Sequence, residues 1–208
     1  MRGDTKAKIT ETALKLFSQN GYVGTSMSDI ANDLGITKPA LYKHYESKHE
    51  ILESIVKRMS DADFEYAKKY EMPEDEPNGF SDEYKDATAE KIREYSIAMF
   101  RYWTEEAFPS QFRKMLTTER YRDKEMAKLY QNYLSTGPAE YMAAIFRKFA
   151  DSDEAAMGLA LDFYGPMYLL YDFFDALEDK KSVYKMLCDH IDAFILKINA
   201  FMAQREKR

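Results

Sequence analysis

The stretch Ser26–Tyr45, SMSDIANDLGITKPALYKHY, restricts the possible fold more than any other, because it encodes two short helices around a tight turn. Ser26, with Asp29 three residues later, forms a capping box, which predicts a helix over 28–34. Gly35 can adopt the positive φ that ends a helix. A second helix follows at once. The stretch therefore predicts a helix-turn-helix, a motif whose second helix lies in the major groove of DNA.

The second helix of this motif has the composition that contact with DNA requires. Thr37 caps it, and Pro39 falls in its first turn, where a missing N–H costs nothing. Ala40 is small enough to approach base edges or to pack against a thymine methyl. Leu41 and Tyr45, four residues apart, are expected to face inward. Donors and cations are expected on the exposed side, at Lys38, Tyr42, Lys43 and His44. Taken alone, the segment is equally consistent with an ordinary charged surface helix.

The composition is that of a globular chain in a reducing compartment. Of the 208 residues, 45% are hydrophobic and 32% are charged, which is unlike a disordered chain. No apolar run approaches the ~18 residues of a membrane span, and the N-terminus MRGDTKAKI lacks the apolar segment of a secretory signal. Cys188 is the only cysteine, which excludes an intramolecular disulfide. These features predict a cytoplasmic protein with no membrane segment.

Charge is distributed unevenly along the chain. Residues 1–60 hold nine Lys/Arg against seven Asp/Glu, whereas residues 61–208 hold 21 against 29. A mildly basic N-terminal part on an acidic body is consistent with binding DNA at one end only.

Two further helices are predicted on either side of the motif. The first runs from Asp4, its N-cap, to about Gln19, and Asn20-Gly21 ends it. Ser47 with Glu50 forms another capping box, which starts a long helix. The N-terminal part is therefore predicted to consist of three helices joined to the rest of the chain by a fourth.

With these helices in place, Lys6–Val56 resembles, without a gap, the DNA-binding domain of the tetracycline-repressor (TetR) family of bacterial transcriptional regulators. The segments that carry the resemblance are ALKLF, NGY, TSMSDIA, the LGIT turn, and LYKHY followed by SK. The resemblance implies an all-helical protein that binds double-stranded operator DNA as a homodimer. It also implies release of the operator when a small molecule enters the C-terminal domain.

The same resemblance implies roles for individual positions. Many relatives carry glycine where Pro39 stands, and proline has no N–H to donate there. Phosphate contacts are implied for Thr25, Tyr42, His44 and Lys48, and proximity to base edges for Lys38, Ala40 and Lys43. Thr37, the cap of the second helix, completes the candidate DNA-binding set.

The rest of the chain is predicted to be helical, with one clear interruption. MPEDEPNGFSDE, at 72–83, combines two prolines, a glycine and acidic residues without periodicity, which predicts an acidic loop. The helices predicted after it cover about 84–107, a short segment after Pro109, a segment from 126 with a break or bend at Gly137-Pro138, then 153–177 with a kink at Gly165-Pro166, and 183–202.

Aromatic residues and methionines in this body could line a cavity for an apolar or aromatic small molecule. Aromatic stripes at helical spacing are more often core, so each candidate has both interpretations. The candidates are Phe100, Trp103, Phe112, Met115, Tyr164 and Tyr168. Acids that could meet a cationic ligand, or form surface salt bridges, are Glu105, Glu106, Asp162, Asp172 and Asp175, so the charge of the small molecule stays open.

The last two helices carry more apolar surface than one neighbour covers. The helix over 153–177 is apolar nearly all round, and the apolar stripe from Val183 to Phe201 is about 140° wide. The resemblance supplies an explanation, since the last two helices of each protomer usually pair in a four-helix dimer interface. The residues predicted at this interface are Phe163, Leu187, Ile191, Phe194 and Ile198.

Nothing in the sequence predicts catalysis. His44 and His49 would point ~140° apart on a helix, which is poor geometry for a shared metal. Cys188 lies in an apolar stripe without a basic activator, and no phosphate-binding glycine loop is present. The chain is therefore predicted not to be an enzyme and to need no metal or cofactor.

These observations combine into one prediction of architecture and function. The chain is expected to be all-α, with about nine helices, a helix-turn-helix DNA-binding domain at 1–50 and a ligand-binding and dimerisation domain at 51–208. The expected function is a transcriptional repressor released from its operator by a small molecule. The alternatives are an activator or ligand-independent regulator with the same fold, and a helical small-molecule-binding protein with a non-functional DNA head.

Overall fold

The computed structural model describes residues 2–73 and 88–205, and these residues form helices and connecting segments without any strand. The predicted all-α class is confirmed. The helices are α1 (Arg2–Asn20), α2 (Met27–Asp33), α3 (Lys38–Tyr42), α4 (Lys48–Lys69), α5 (Ala89–Glu105), α6 (Ala107–Glu119), α7 (Lys124–Leu134), α8 (Thr136–Phe146), a 3-10 turn (Arg147–Phe149), α9 (Asp153–Ala176) and α10 (Lys180–Arg205). Most of the loop predicted at 72–83 lies outside the described residues.

Local sequence signals set the boundaries of the two short helices. Ser26 caps α2, and its hydroxyl and backbone N–H exchange hydrogen bonds with Asp29, so the predicted capping box is confirmed. Gly35 has a φ of +66° at the end of α2. The Thr37 hydroxyl accepts a hydrogen bond from the Ala40 N–H at 3.3 Å, which confirms it as the cap of α3.

Two helix starts differ from the prediction. The helix α1 begins at Arg2, so Asp4 lies within its first turn and is not the N-cap. Adjacent positions compete as helix starts, and a capping residue alone does not decide between them. At the start of α4, the Ser47 hydroxyl accepts from the Glu50 N–H at 3.1 Å, as expected. The Glu50 carboxylate, however, accepts from the N–H of Glu46 at 2.6 Å, one residue before the expected donor.

The chain packs into two compact units, and the first is discontinuous in sequence. The first unit contains residues up to 63 together with 105–130, so α6 and much of α7 share a core with α1–α3 and the first part of α4. In it, α1 packs more extensively against α6 than against α2. The fully buried side chains of this core include Ile9, Leu14, Phe17, Ile30, Leu41, Ile51, Leu52, Ile55 and Phe112. The functional division at residue 50 stays a prediction.

The second unit contains residues 64–104 and those from 131 onward. Its helix pairs α8–α9 and α9–α10 are joined by a phenylalanine cluster, in which Phe163 lies 5.4 Å from Phe146 and 4.8 Å from Phe194 between ring centroids. The predicted interruption near Gly137-Pro138 is confirmed as a break at Ser135, after which α8 begins. The helix α9 continues through Gly165 and Pro166. Within the described residues, no helix is long and apolar enough to cross a membrane.

Asp63 interrupts the buried face of α4, because Met59 and Ala67, four residues away on either side, are buried. Its Oδ1 atom is inaccessible to solvent and has no hydrogen-bond partner among the described residues. Burial of the carboxyl raises the pKa of Asp63 to about 7. The folded protein therefore holds a proton at Asp63 more tightly than the unfolded chain does.

This raised pKa predicts a pH-dependent stability. Between pH ~4 and ~7 the folded state binds more protons at Asp63 than the unfolded state does. The stability that goes with a protonated Asp63 is therefore fully present below pH ~4 and is lost as the pH rises through ~7. Asp63→Asn should therefore raise the thermal midpoint at pH 8 by roughly 5–10 °C and change it little at pH 4, with a smaller rise at pH 5 than at pH 8. Asp61→Asn, at an exposed neighbour, is the control. Equal effects of Asp63→Asn at pH 4 and pH 8 would contradict the assignment.

Candidate nucleic-acid interface

The helix-turn-helix is held from behind by buried apolar side chains. Met27, Ile30 and Ala31 of α2 are buried, and Leu41 and Tyr45 are 0% and 2% exposed. This confirms that Leu41 and Tyr45 face inward. A helix of five residues is not stable by itself, so the position of α3 is set by this burial.

The outer side of α3 presents cations around a small apolar surface. Lys38, Pro39, Tyr42 and Lys43 are exposed and line a shallow concavity. The Lys38 ammonium lies 5.9 Å from the centroid of the Tyr42 ring. Three of the candidates, Lys38, Tyr42 and Lys43, therefore share one accessible surface. Thr37, the residue before Lys38, is also exposed, whereas Ala40 and His44 are half-buried.

Thr25 and Lys48, two predicted phosphate contacts, have their polar atoms bonded inside the protein. The Thr25 side chain is buried, and its hydroxyl donates to the carbonyl of Gly21 at 2.8 Å. The Lys48 ammonium donates to the carbonyls of Tyr22 and Thr25 at 2.5 and 2.8 Å and lies 4.4 Å from the centroid of the Tyr22 ring. Burial lowers the pKa of Lys48, and the nearby Glu119 opposes this shift. In this structure both side chains fasten the corner between α1 and α2.

Sequence reasoning missed Tyr22 as a part of this corner. Its ring packs edge-on against Phe17 at 5.1 Å between centroids and also receives Lys48. Burial raises the pKa of Tyr22 to about 12, and Glu125, Asp123 and Glu53 reinforce the shift. These acids come from distant parts of the sequence, so no local pattern indicated them.

The six candidate ligand residues are divided between the two units. Phe112 and Met115 are fully buried in the first unit. In the second unit, Phe100 is also fully buried and stacks on Tyr171 at 5.1 Å between centroids. Trp103, 4% exposed, packs edge-on against Tyr133 at 6.2 Å. The other two candidates, Tyr164 and Tyr168, are half-buried with their rings 6.3 Å apart.

A chain of tyrosines in the second unit was also missed. Tyr66 lies 4.6 Å from Tyr102 between ring centroids, Tyr70 lies 6.2 Å from Tyr95, and Tyr95 lies 6.3 Å from Tyr141. The spacing of Tyr66 and Tyr70 by four residues and of Tyr95 and Tyr102 by seven indicated one face on each helix. It did not indicate that these faces meet.

The acids considered as ligand partners are on the surface. Asp162 is exposed and its carboxylate accepts from Lys197 at 2.9 Å, as in the salt-bridge alternative. Asp172, Asp175, Glu105 and Glu106 are exposed too. Within the described part of the chain, no three His, Cys, Asp or Glu side chains come together to hold a metal ion.

The residues predicted at a dimer interface are buried inside one protomer. These five residues of α9 and α10 are Phe163, Leu187, Ile191, Phe194 and Ile198, and they are between 0% and 6% exposed. The rings of Phe163 and Phe194 join the two helices within the second unit. Other apolar side chains of these two helices remain exposed. They are Leu161 (58%), Leu169 (52%), Phe173 (38%), Leu177 (41%), Met186 (44%) and Leu196 (70%).

Comparison with known proteins agrees with this geometry. Residues 9–55 match the family described as bacterial regulatory proteins, tetR family. A stretch of 52 residues is 48% identical to the biofilm operon icaADBC HTH-type negative transcriptional regulator IcaR of Staphylococcus aureus (strain Newman). The match covers 25% of this chain and 28% of that relative.

Solved structures extend the likeness over most of the chain. The TetR-family transcriptional regulator PfmR from Thermus thermophilus superposes with a TM-score of 0.61 and 25% identity, covering 90% of this chain and 96% of PfmR. The SmeT–triclosan complex superposes with a TM-score of 0.65 over 93% of this chain and 91% of SmeT, and at 15% identity it shows the fold alone. Residues 9–55 therefore resemble the matching segment of TetR-family transcriptional regulators, and most of the chain has the fold of PfmR, a solved member of that family.

Proposed function

We propose that this protein is a transcriptional repressor that binds operator DNA as a homodimer in the cytoplasm and releases it when a small molecule binds. The observation that carries the proposal is the outer side of α3, where Lys38, Tyr42 and Lys43 surround an apolar concavity on a helix fixed by Leu41 and Tyr45. The similarity to IcaR, a negative regulator, favours repression over activation.

Each group on this surface has a chemical role at DNA. The ammonium groups of Lys38 and Lys43 can donate to the N7 and O6 atoms of guanine in the major groove. Tyr42 and His44 can donate to phosphates, which sets the register of the helix on the duplex. Ala40 and the adjacent apolar surface can pack against a thymine methyl. Thr25 and Lys48 contribute by holding the backbone of the corner that precedes α2.

The exposed apolar residues of α9 and α10 support a homodimer. Six large apolar side chains that stay exposed on two helices packed together are costly to leave in water and are typical of an interface. In this proposal Phe163 and Phe194 hold α9 and α10 together, whereas Leu161, Leu169 and Leu196 meet the partner. A two-fold dimer presents two α3 helices to successive half-sites about one DNA turn or more apart.

The aromatic groups of the second unit support an apolar or aromatic effector. Phe100, Trp103 and Tyr168 are the candidates that would contact it, and a structure of the same fold, SmeT, is a complex with the small molecule triclosan. The effector would act through differential affinity, by favouring a protomer geometry in which the two heads no longer match the half-site spacing.

A gel-shift or anisotropy titration with duplex from upstream of the protein's own gene tests DNA recognition. Lys43→Ala should weaken binding to the cognate duplex by ~1–3 kcal/mol and relax sequence choice, because a base contact is lost. Lys57→Ala, at an exposed lysine of α4 paired with Asp61, should change little. Equal losses on cognate and random duplex would contradict a base-reading role for Lys43.

A charge placed at the exposed apolar residues of α9 and α10 tests the dimer. Leu196→Glu should convert the protein to monomers at micromolar concentration with its helix content intact, because Leu196 is 70% exposed within a protomer. Val23→Glu, a similar change at an apolar residue 65% exposed in the first unit, should leave the mass unchanged. Light scattering after size exclusion measures both. A dimer that survives Leu196→Glu and a second change, Leu161→Glu, would contradict this interface.

The emission of Trp103, the only tryptophan, tests the effector site. Compounds that release the duplex should quench or shift this emission in proportion to release, because Trp103 is itself proposed to contact the effector and is buried against Tyr102 and Tyr133. Trp103→Phe retains an aromatic ring and supplies the spectroscopic blank. Compounds that release DNA without changing Trp103 emission would place the site elsewhere.

A further inference from the structure

The end of α6 lies against the corner between α1 and α2, immediately before the helix-turn-helix. Both segments belong to the first unit. Glu119, the last residue of α6, is 1% exposed, and its Oε1 lies 2.6 Å from the position that a Cβ atom at Gly21 would occupy. Gly21 has a φ of +82°. The absence of a side chain at Gly21 therefore serves both the turn and the approach of Glu119.

The Glu119 carboxylate is only partly satisfied in this position. Its Oε1 atom accepts from Nη1 of Arg122 at 3.3 Å. Its Oε2 atom is buried and has no hydrogen-bond partner among the described residues. Leaving a buried acceptor unpaired is unfavourable, so an apolar side chain would pack at lower cost. Packing alone does not explain a glutamate here.

The same corner is also held by Lys48 of α4, and acidic side chains from α6 and from the start of α7 lie near its ammonium. The ammonium of Lys48 donates to the carbonyls of Tyr22 and Thr25, and Glu119 with Asp123 supplies nearby negative charge. Asp123 caps α7 by accepting from the Met126 N–H at 3.0 Å. A second link joins α7 to α4, where His49 Nε2 and Glu125 Oε1 are 3.0 Å apart.

We infer that Glu119 is a positioning residue for DNA binding, which ties the Gly21–Thr25 corner to the end of α6. The inference rests on the proposed function. The corner ends directly before Ser26, the cap of α2, so a shift of the corner shifts α2 and α3 together.

Hydrogen exchange and DNA titration on the full-length protein test this role together. The Gly21 N–H donates to Phe17 and the Thr25 N–H to Tyr22, so both amides report whether the corner is closed. Glu119→Ala should speed their exchange and weaken binding to the upstream duplex by about tenfold, because the tie to α6 is removed. Glu119→Gln retains the volume and the acceptor for Arg122, and should stay within about threefold of wild type.

Two controls separate positioning from a general loss of stability. Ile145→Ala, at a buried residue of the second unit, should lower the thermal midpoint and leave corner exchange and DNA affinity of the folded protein unchanged. Gly35 has a φ of +66° with no atom within 4 Å of its added Cβ, so Gly35→Ala matches the backbone strain of Gly21→Ala without its contact. Gly21→Ala should reduce DNA affinity more than Gly35→Ala does, because it also disturbs the contact with Glu119. When Glu119→Ala is added to Gly21→Ala, DNA affinity should fall little further.

The outcomes are distinguishable. The inference would be overturned if Glu119→Ala left both the hydrogen exchange of the corner and the DNA affinity at the wild-type level. It would also be overturned if Gly21→Ala and Glu119→Ala lowered DNA affinity in a fully additive way. A wild-type protein that binds no duplex would overturn the proposed function itself. In that case, unchanged corner exchange in Glu119→Ala would show that the tie is absent as well.

Discussion

The stability of the short helices α2 and α3 depends entirely on what they are packed against. They contain seven and five residues, too few to persist alone in water. Burial of Ile30, Leu41 and Tyr45 supplies the free energy that their own hydrogen bonds do not. The cations of α3 can then be held in place on a helix that has almost no independent stability.

Signals that act within four residues could be predicted well from the sequence. The capping pair Ser26 and Asp29, the positive φ of Gly35 and the cap Thr37 all depend on neighbouring atoms, and each is found in the structure. Asp4 shows where such signals fail, because α1 has a second acceptable start two residues earlier. Propensity alone does not choose between adjacent starts.

What the sequence could not provide is which faces meet. The 140° stripe of the last helix was predicted correctly as apolar, but helical periodicity does not say which part faces α9 and which part faces outward. Leu187 and Ile191 belong to the protomer core, whereas Leu196 stays exposed. In the same way, the resemblance marked Thr25 and Lys48 as phosphate contacts, and only the folded corner showed their polar atoms bonded to main-chain carbonyls.

The packing of α6 against α1 has a consequence for modularity. Residues 105–130 complete the core around α1 and α4. The N-terminal segment that matches the family therefore does not form a complete core by itself. A chimera that joined this N-terminal segment to another C-terminal part would expose core atoms of α1 unless the new part supplied a helix equivalent to α6. Exchange of such DNA-binding segments between proteins during evolution is therefore limited by the helix that must pack against α1, as well as by the operator sequence.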